Sequence, residues 1–283
     1  MSAEPICPTS KLDKILVTTD RSSFSEGAIR EALNFSNKCN SHLYVISVLE
    51  PNPDYETIGA GIYEKEERQA AEYLETIHAR AVKEGISFCE TKLLFGQDPY
   101  RLIVKEAGEK NVDMIIIGRR GRSGIMKMLM GSVTAKVIGH APCKVLVVPR
   151  AARIECGNIL VATDGSEHSL AAAEAAIGIA RQCGSSIIAV SVKDVETETA
   201  DTGACVNAVA DMARKANVPV STETPRGRAH AVIVEMAGGR GVDLIVMGAH
   251  GKTDLRHLVM GSTAERVIGL ANCAVMVVPA RAA

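Results

Sequence analysis

The chain has 283 residues, 47% hydrophobic and 23% charged, with 32 basic residues against 33 acidic ones for a net charge of −1. That balance argues against a protein that grips nucleic acid or a membrane surface by charge, and 3% aromatics without tryptophan argues against base stacking on single strands. Apolar runs such as MIII and VLVV fall far short of the roughly 18 residues of a spanning helix, and MSAEPICPTSKLDK lacks the apolar centre of a signal peptide, so a cytoplasmic location is expected.

In chain order, 15–19 is a short apolar strand, and SSFSEGAIREALNFSNKC follows with helical spacing and several serines able to cap it. HLYVISVLE (42–50) is a second strand, rich in β-branched residues. The Pro/Gly-rich EPNPDYETIGAGIYEK (50–65) has the composition of a surface loop leading into a helix. That helix is predicted over 63–84, with Ala70, Ala71, Leu74, Ile77 and Ala81 on its apolar face. SFCETKLLF (87–95) is a third strand, 99–110 a helix and 114–117 a fourth strand. GRRGRSGIMKMLMGS (118–132) then interleaves glycines with arginines, before a helix near 132–139 and a last strand at 144–148.

The whole series is written twice. KILVTTDRSSFS (14–25) returns as NILVATDGSEHS (158–169), an offset of 144 that Cys39 and Cys183 share. NVDMIIIG (111–118) returns as GVDLIVMG (241–248), at an offset of 130, and the glycine stretch returns as GAHGKTDLRHLVMGS (248–262). Both copies close on matching VIG and VVP triplets, and RAARIEC (150–156) carries the boundary, giving domains 1–150 and 151–283. Strands ILVAT, SIIAVSV, VPVSTET, LIVMG and AVMVV repeat the series in the second copy. Strands alternating with helices predict an α/β fold with a parallel sheet covered on both faces, and the near-continuous apolar runs fit its central strands.

In such sheets ligands sit at the carboxyl ends of strands, where strand order reverses. Each copy offers an Asp after its first strand (Asp20, Asp164) and a glycine loop after its fourth (from Gly118, Gly248). Glycines let main-chain N–H groups approach a ligand, and Gly-Ser then opens a helix whose free N–H groups point at any anion present. The Walker pattern is absent. Taken singly, a Gly-Ser cap or a loop arginine has an ordinary structural explanation. G-x2-G-x9-G-S occurs twice, however, each time with an Asp-ended strand upstream, while the residues between the glycines differ. Arg119, Arg120 and Arg122 become Ala249, His250 and Lys252, so the predicted anion site is built chiefly from backbone, with side-chain charge secondary.

The glycine-serine motif after a strand, with ILV-x-T-D near the start and VVP at the close, resembles the universal stress protein family in a tandem two-copy form. The resemblance covers nearly all of both halves. It implies a Rossmann-like (adenine nucleotide α-hydrolase-like) five-stranded parallel sheet per copy. It also implies that the copies pair through their last strands, as an intramolecular pseudo-dimer or across a homodimer. Family members with this glycine motif bind ATP, whereas a second branch lacks both. Carried over by position, Thr18 and Val48 border the adenine in the first copy, Asp20 lies near the ribose or the metal-phosphate end, and Ile117 lines the pocket. Gly118, Gly121, Gly131 and Ser132 hold phosphates, Val133 adds a helix-start N–H, and Arg120 adds charge. The second copy offers Ala162, Val192, Asp164, Met247, Gly248, Gly251, Gly261, Ser262, Thr263 and His250 in the same places.

Asp20 and Asp164 have two open roles, holding Mg²⁺ together with a phosphate or capping the following helix. No general base stands out, so the reading is an adenine-nucleotide (ATP, ADP or AMP) binding stress-response or signalling protein rather than an efficient enzyme. The alternatives are a slow Mg-dependent ATP hydrolase and a dimerising scaffold without nucleotide. Neither nucleic acid nor membrane is expected as a partner. The eight cysteines show no CxxC pattern and read as buried reduced thiols.

Overall fold

A computed structural model describes residues 12–51, 60–121, 130–193, 201–252 and 260–279. The first half runs β1 (Lys14–Thr19), α1 (Glu26–Cys39), β2 (His42–Leu49), α2 (Ala60–Lys83), β3 (Cys89–Phe95), α3 (Pro99–Lys110), β4 (Met114–Gly118), α4 (Ser132–His140) and β5 (Lys144–Val148). The second runs β6 (Asn158–Ala162), α5 (Glu167–Cys183), β7 (Ser186–Val190), α6 (Thr202–Lys215), β8 (Val220–Glu223), α7 (Ala229–Gly239), β9 (Leu244–Gly248), α8 (Ser262–Leu270) and β10 (Ala274–Val278).

All ten strands join one sheet in the order β3-β2-β1-β4-β5-β10-β9-β6-β7-β8. Pairing is parallel within each half, and β5 meets β10 antiparallel, Leu146 opposite Met276 and Val147 opposite Val275. The last strands of the two copies therefore close the sheet within one chain. Alternation along β5 explains why this seam holds: Leu146 and Val148 face one helical layer, Val145 and Val147 the other, all four buried. The first core packs the sheet against α1, α2, α5 and α6, the second against α3, α4, α7 and α8, and each core runs through both halves. Truncating a central side chain such as Leu146 to Ala costs about 2–5 kcal/mol on the usual scale for core cavities.

The predicted elements are present, with shifted ends. α2 starts at Ala60, ahead of the expected 63, and residues 52–59 of the expected loop lie outside the described residues. Ala70, Leu74, Ile77 and Ala81 are buried along α2 but Ala71 is exposed, because a step of one residue rotates about 100° off the apolar stripe. β7 stops at Val190, so Val192 follows the strand instead of ending it; an isolated parallel bridge from Lys193 to Arg226 continues the pairing beyond it.

The cysteines depart from the expectation of uniformly buried thiols. Cys156 and Cys205 are buried, Cys89, Cys143 and Cys273 half-buried, Cys183 exposed, and Cys39 is disulfide-bonded.

Candidate functional site at the strand-order reversal

Strand order reverses between β1 and β4, which pair from Ile15–Met114 to Val17–Ile116. The chain leaves β1 toward α1 on one face and leaves β4 toward α4 on the other, so a crevice opens at their carboxyl ends. A cavity of about 270 Å³ lies there. All ten first-copy candidates line it: Thr18, Asp20, Val48, Ile117, Gly118, Arg120, Gly121, Gly131, Ser132 and Val133.

One end of the cavity is built for an anion. Gly131 is the N-cap of α4 and no side chain caps the helix, so its first-turn N–H groups keep no side-chain acceptor. The helix start is fixed from behind, with Gly131 N donating to Arg119 O at 2.9 Å and Thr134 Oγ1 donating to Gly118 O at 2.9 Å. Arg120 Nε is buried without a hydrogen-bond partner at this wall, an orphaned donor in a cavity lined by polar backbone. A Cβ at Gly118 would stand 2.9 Å from Phe24 O, and one at Gly121 would stand 2.8 Å from Asp20 Oδ2, so side chains there would displace backbone or carboxylate. Apolar lining comes from Val48, Leu49, Ile103 and Ile117.

Asp20 does not cap α1. Its Oδ1 accepts from Ser22 N at 3.1 Å and Ser22 Oγ at 2.7 Å, a local turn that holds the carboxylate at the cavity wall. Arg21 follows in the left-handed region at φ 66, where the second copy has Gly165 at φ 74. The arginine bears the strain that glycine avoids, and its Nη1 donates to Glu66 O at 3.1 Å, tying β1's end to α2.

The second copy repeats the frame with different fittings. Ala162 pairs with Met247 across β6 and β9, and Gly248 pairs with Val278. A Cβ at Gly251 would stand 2.7 Å from Asp164 Oδ2, and one at Gly248 would stand 2.7 Å from the His168 Cβ. Gly261 N donates to Ala249 O at 2.9 Å, and α8 opens at Ser262 and Thr263 without a side-chain cap. Asp164 Oδ1 accepts from Ser166 N at 3.0 Å and Oδ2 from Lys252 N at 2.7 Å. Burial works to raise the Asp164 pKa, but these hydrogen bonds outweigh it and hold the carboxyl below its ordinary range. His250 packs edge-on to His168, ring centroids 5.2 Å apart. Burial first, and His250 second, lower the His168 pKa.

Sequence reasoning missed several lining residues. Glu66, Pro99 and Ile103 reach the cavity from α2 and α3, remote in sequence and outside the repeated motif. Thr19 and Ser25 were readable in principle: their hydroxyls meet at 2.8 Å, and the equivalent Thr163 and Ser169 meet at 3.1 Å, a Thr-x5-Ser spacing present in both copies. Among the described residues no three His, Cys, Asp or Glu side chains form a metal cluster. Each Asp stands as a single carboxylate beside an anion cradle, a donor set that fits Mg²⁺ carried in on phosphates. Among the described residues no helix is long and apolar enough to cross a membrane.

Comparison with known proteins agrees with this architecture. The profile of the universal stress protein family matches residues 11–149 and again 156–279. A Staphylococcus haemolyticus protein named for the same family is 30% identical over 136 residues, spanning 47% of this chain and 82% of its own. A solved universal stress protein from Archaeoglobus fulgidus shares the fold over 95% of this chain and 99% of its own, at TM-score 0.74 and 23% identity. A universal stress protein solved in complex with cAMP is 26% identical over 49% of this chain and 98% of its own, at TM-score 0.40. Matched twice along its length, the chain belongs to the universal stress protein family.

Proposed function

We propose that this protein binds adenine nucleotides (ATP, ADP or AMP) at the carboxyl strand ends of each domain, 1–150 and 151–283, and that occupancy sets a stress-response or signalling output. The observation that carries this reading is the first-half cavity, which is lined both by apolar Val48 and Ile117 and by a helix start at Gly131-Ser132 without a side-chain cap and the orphaned Arg120 Nε. An apolar surface suits a base, and free N–H groups with a buried guanidinium suit phosphates. In this reading Thr18 and Val48 border the adenine, Asp20 meets the ribose or a phosphate-borne Mg²⁺, and Gly118, Gly121, Gly131, Ser132 and Val133 hold the phosphates. Ala162, Val192, Asp164, Met247, Gly248, His250, Gly251, Gly261, Ser262 and Thr263 take the corresponding places in the second domain.

Mass analysis of small molecules released from freshly purified protein tests the reading directly. Adenine nucleotide is expected, with binding weakened by Gly131→Val and by Gly261→Val. Unchanged affinity in both variants and in their combination would overturn it.

A further inference from the structure

A cavity apart from both crevices lies at the amino ends of the second half's strands. Asp243 immediately precedes β9 and Cys273 immediately precedes β10, so both stand at the opposite strand ends from Gly248. The cavity, of about 320 Å³, is lined by Ala152 and Arg153 of the connection between the halves, by Val234 and Gly238 of α7, by Asp243, and by Asn272 after α8. That volume far exceeds the space of one water and matches a small-ligand site. Its walls are held from the first half. Arg30 Nη2 donates to the Ala152 carbonyl, and Arg119 Nη1 donates at 2.7 Å to the carbonyl of Ala271, which also lines the cavity.

Asp243 Oδ2 accepts from Glu155 N at 3.1 Å and Gly157 N at 2.9 Å, which fixes the carboxylate, while Oδ1 is buried without a hydrogen-bond partner. The first half repeats the turn, with Asp113 Oδ2 accepting from Asp13 N at 2.8 Å and Lys14 N at 3.0 Å. There Lys14, the first residue of β1, also brings an ammonium, its Nζ donating to Lys110 O at 2.9 Å. The first residue of β6 is neutral Asn158, whose amide donates to Arg240 O at 3.1 Å. The second turn therefore offers a fixed, unused acceptor and no ammonium of its own, and an acceptor left so is costly. Burial, the largest influence, raises the Asp243 pKa against its two backbone hydrogen bonds.

We propose that this cavity is a second ligand site, for a free amino acid with an aliphatic side chain. The ligand's ammonium donates to Asp243 Oδ1 in a charge-assisted hydrogen bond. Its carboxylate lies toward exposed Arg153, the cation among the lining residues, and toward the Asn272 amide. The aliphatic side chain packs against Val234, Ala237 and Val242. Both charges follow from the lining: a simple amine would meet Arg153 as a like charge, and a simple acid would meet Asp243 as one. The site uses its own residues and does not depend on nucleotide binding.

The test is calorimetric titration of the full chain with L-leucine, with isoamylamine and isocaproate as probes that each lack one of its charges. Saturable binding of leucine is expected, with each single-charge probe weaker by about tenfold, the size of a lost charged hydrogen bond. Asp243→Asn keeps an oxygen for Glu155 N and Gly157 N and should weaken leucine by a similar factor. Gly238→Leu is an independent check, because Gly238 shares the cavity face of α7 with Val234 and Ala237 at helical spacing. A Cβ there meets nothing within 4 Å, so the new side chain takes up cavity space without a clash and should abolish binding. No saturable binding of leucine to wild type overturns the proposal. So does equal binding of either single-charge probe, or unchanged leucine affinity in Gly238→Leu.

Discussion

Arg119 in the first half donates from Nη1 to the carbonyl of Ala271 in the second at 2.7 Å, and to that of Gly269 at 3.3 Å. These carbonyls lie at the end of α8, where a helix gathers partial negative charge, so a guanidinium is well placed there. The Arg119 carbonyl meanwhile accepts Gly131 N. One residue thus joins the glycine loop of the first crevice to the far end of the helix that opens the second. The position is occupied by buried Ala249 in the second half, so the link has no reciprocal and the halves are coupled asymmetrically.

Replacing this residue tests the coupling. Arg119→Ala leaves two half-buried carbonyls without their charged donor and is expected to cost about 1–3 kcal/mol, read as a lower urea midpoint. Arg119→Lys restores the charge without the planar fork and recovers only part of the loss. A midpoint in Arg119→Ala equal to wild type would show that the contact contributes nothing.

Thr134 carries a second prediction. Its hydroxyl donates to Gly118 O inside the structure, and the second half has Ala264 at that place. Thr134→Val keeps the shape and removes the donor, so stability should fall by about 1 kcal/mol, a typical net hydrogen bond. Nucleotide binding at the first crevice should weaken with it, because Gly118 lines the cavity and the bond fixes β4's end against α4. Unfolding and titration of the same variant separate the two effects.

The fold was legible because two signals agree, the period of the apolar residues and the repetition of the whole pattern. Val145 to Val148 show their core strand in composition alone. The crevice was legible where it is made of backbone, because the same glycine-serine spacing follows an apolar strand in both halves. What escaped was set by tertiary contact: Glu66 and Ile103 join the cavity because α2 and α3 pack beside it, and nothing in their local sequence says so. The local turns that fix the two Asp carboxylates escaped as well. Lys252 N engages Asp164 through a loop turn that residue types do not specify.

The side chains of the two glycine loops predict unequal sites. The second crevice has His250 where the first has the buried, unpartnered guanidinium Nε of Arg120, and a guanidinium makes the stronger charge-assisted hydrogen bonds to phosphate, so the second crevice should bind nucleotide more weakly than the first. A Cβ at Gly121 or Gly251 would meet the neighbouring carboxylate at 2.8 or 2.7 Å. Gly121→Val should therefore remove the tighter of two binding events in calorimetric titration, and Gly251→Val the weaker. Loss of the same event in both variants would contradict two independent sites.

The last prediction concerns acid. Burial and the neighbouring His250 lower the His168 pKa against the pull of Glu167, Asp164 and the Val278 carbonyl, and Nδ1 is buried without a hydrogen-bond partner. The folded chain therefore prefers neutral His168, and below the ordinary histidine value of 6.5 the unfolded chain takes up the proton first. Stability from this group is present above 6.5 and is lost as pH falls toward the lower folded value. Asp164 acts in a separate window: its lowered carboxyl contributes stability above 3.8 that disappears as pH falls through its folded value. The urea midpoint of wild type should decline in two stages on acidification. His168→Asn should flatten the upper stage and Asp164→Asn the lower, each leaving the other stage in place. A His168→Asn profile as steep as wild type just below pH 6.5 would assign the upper stage to other groups.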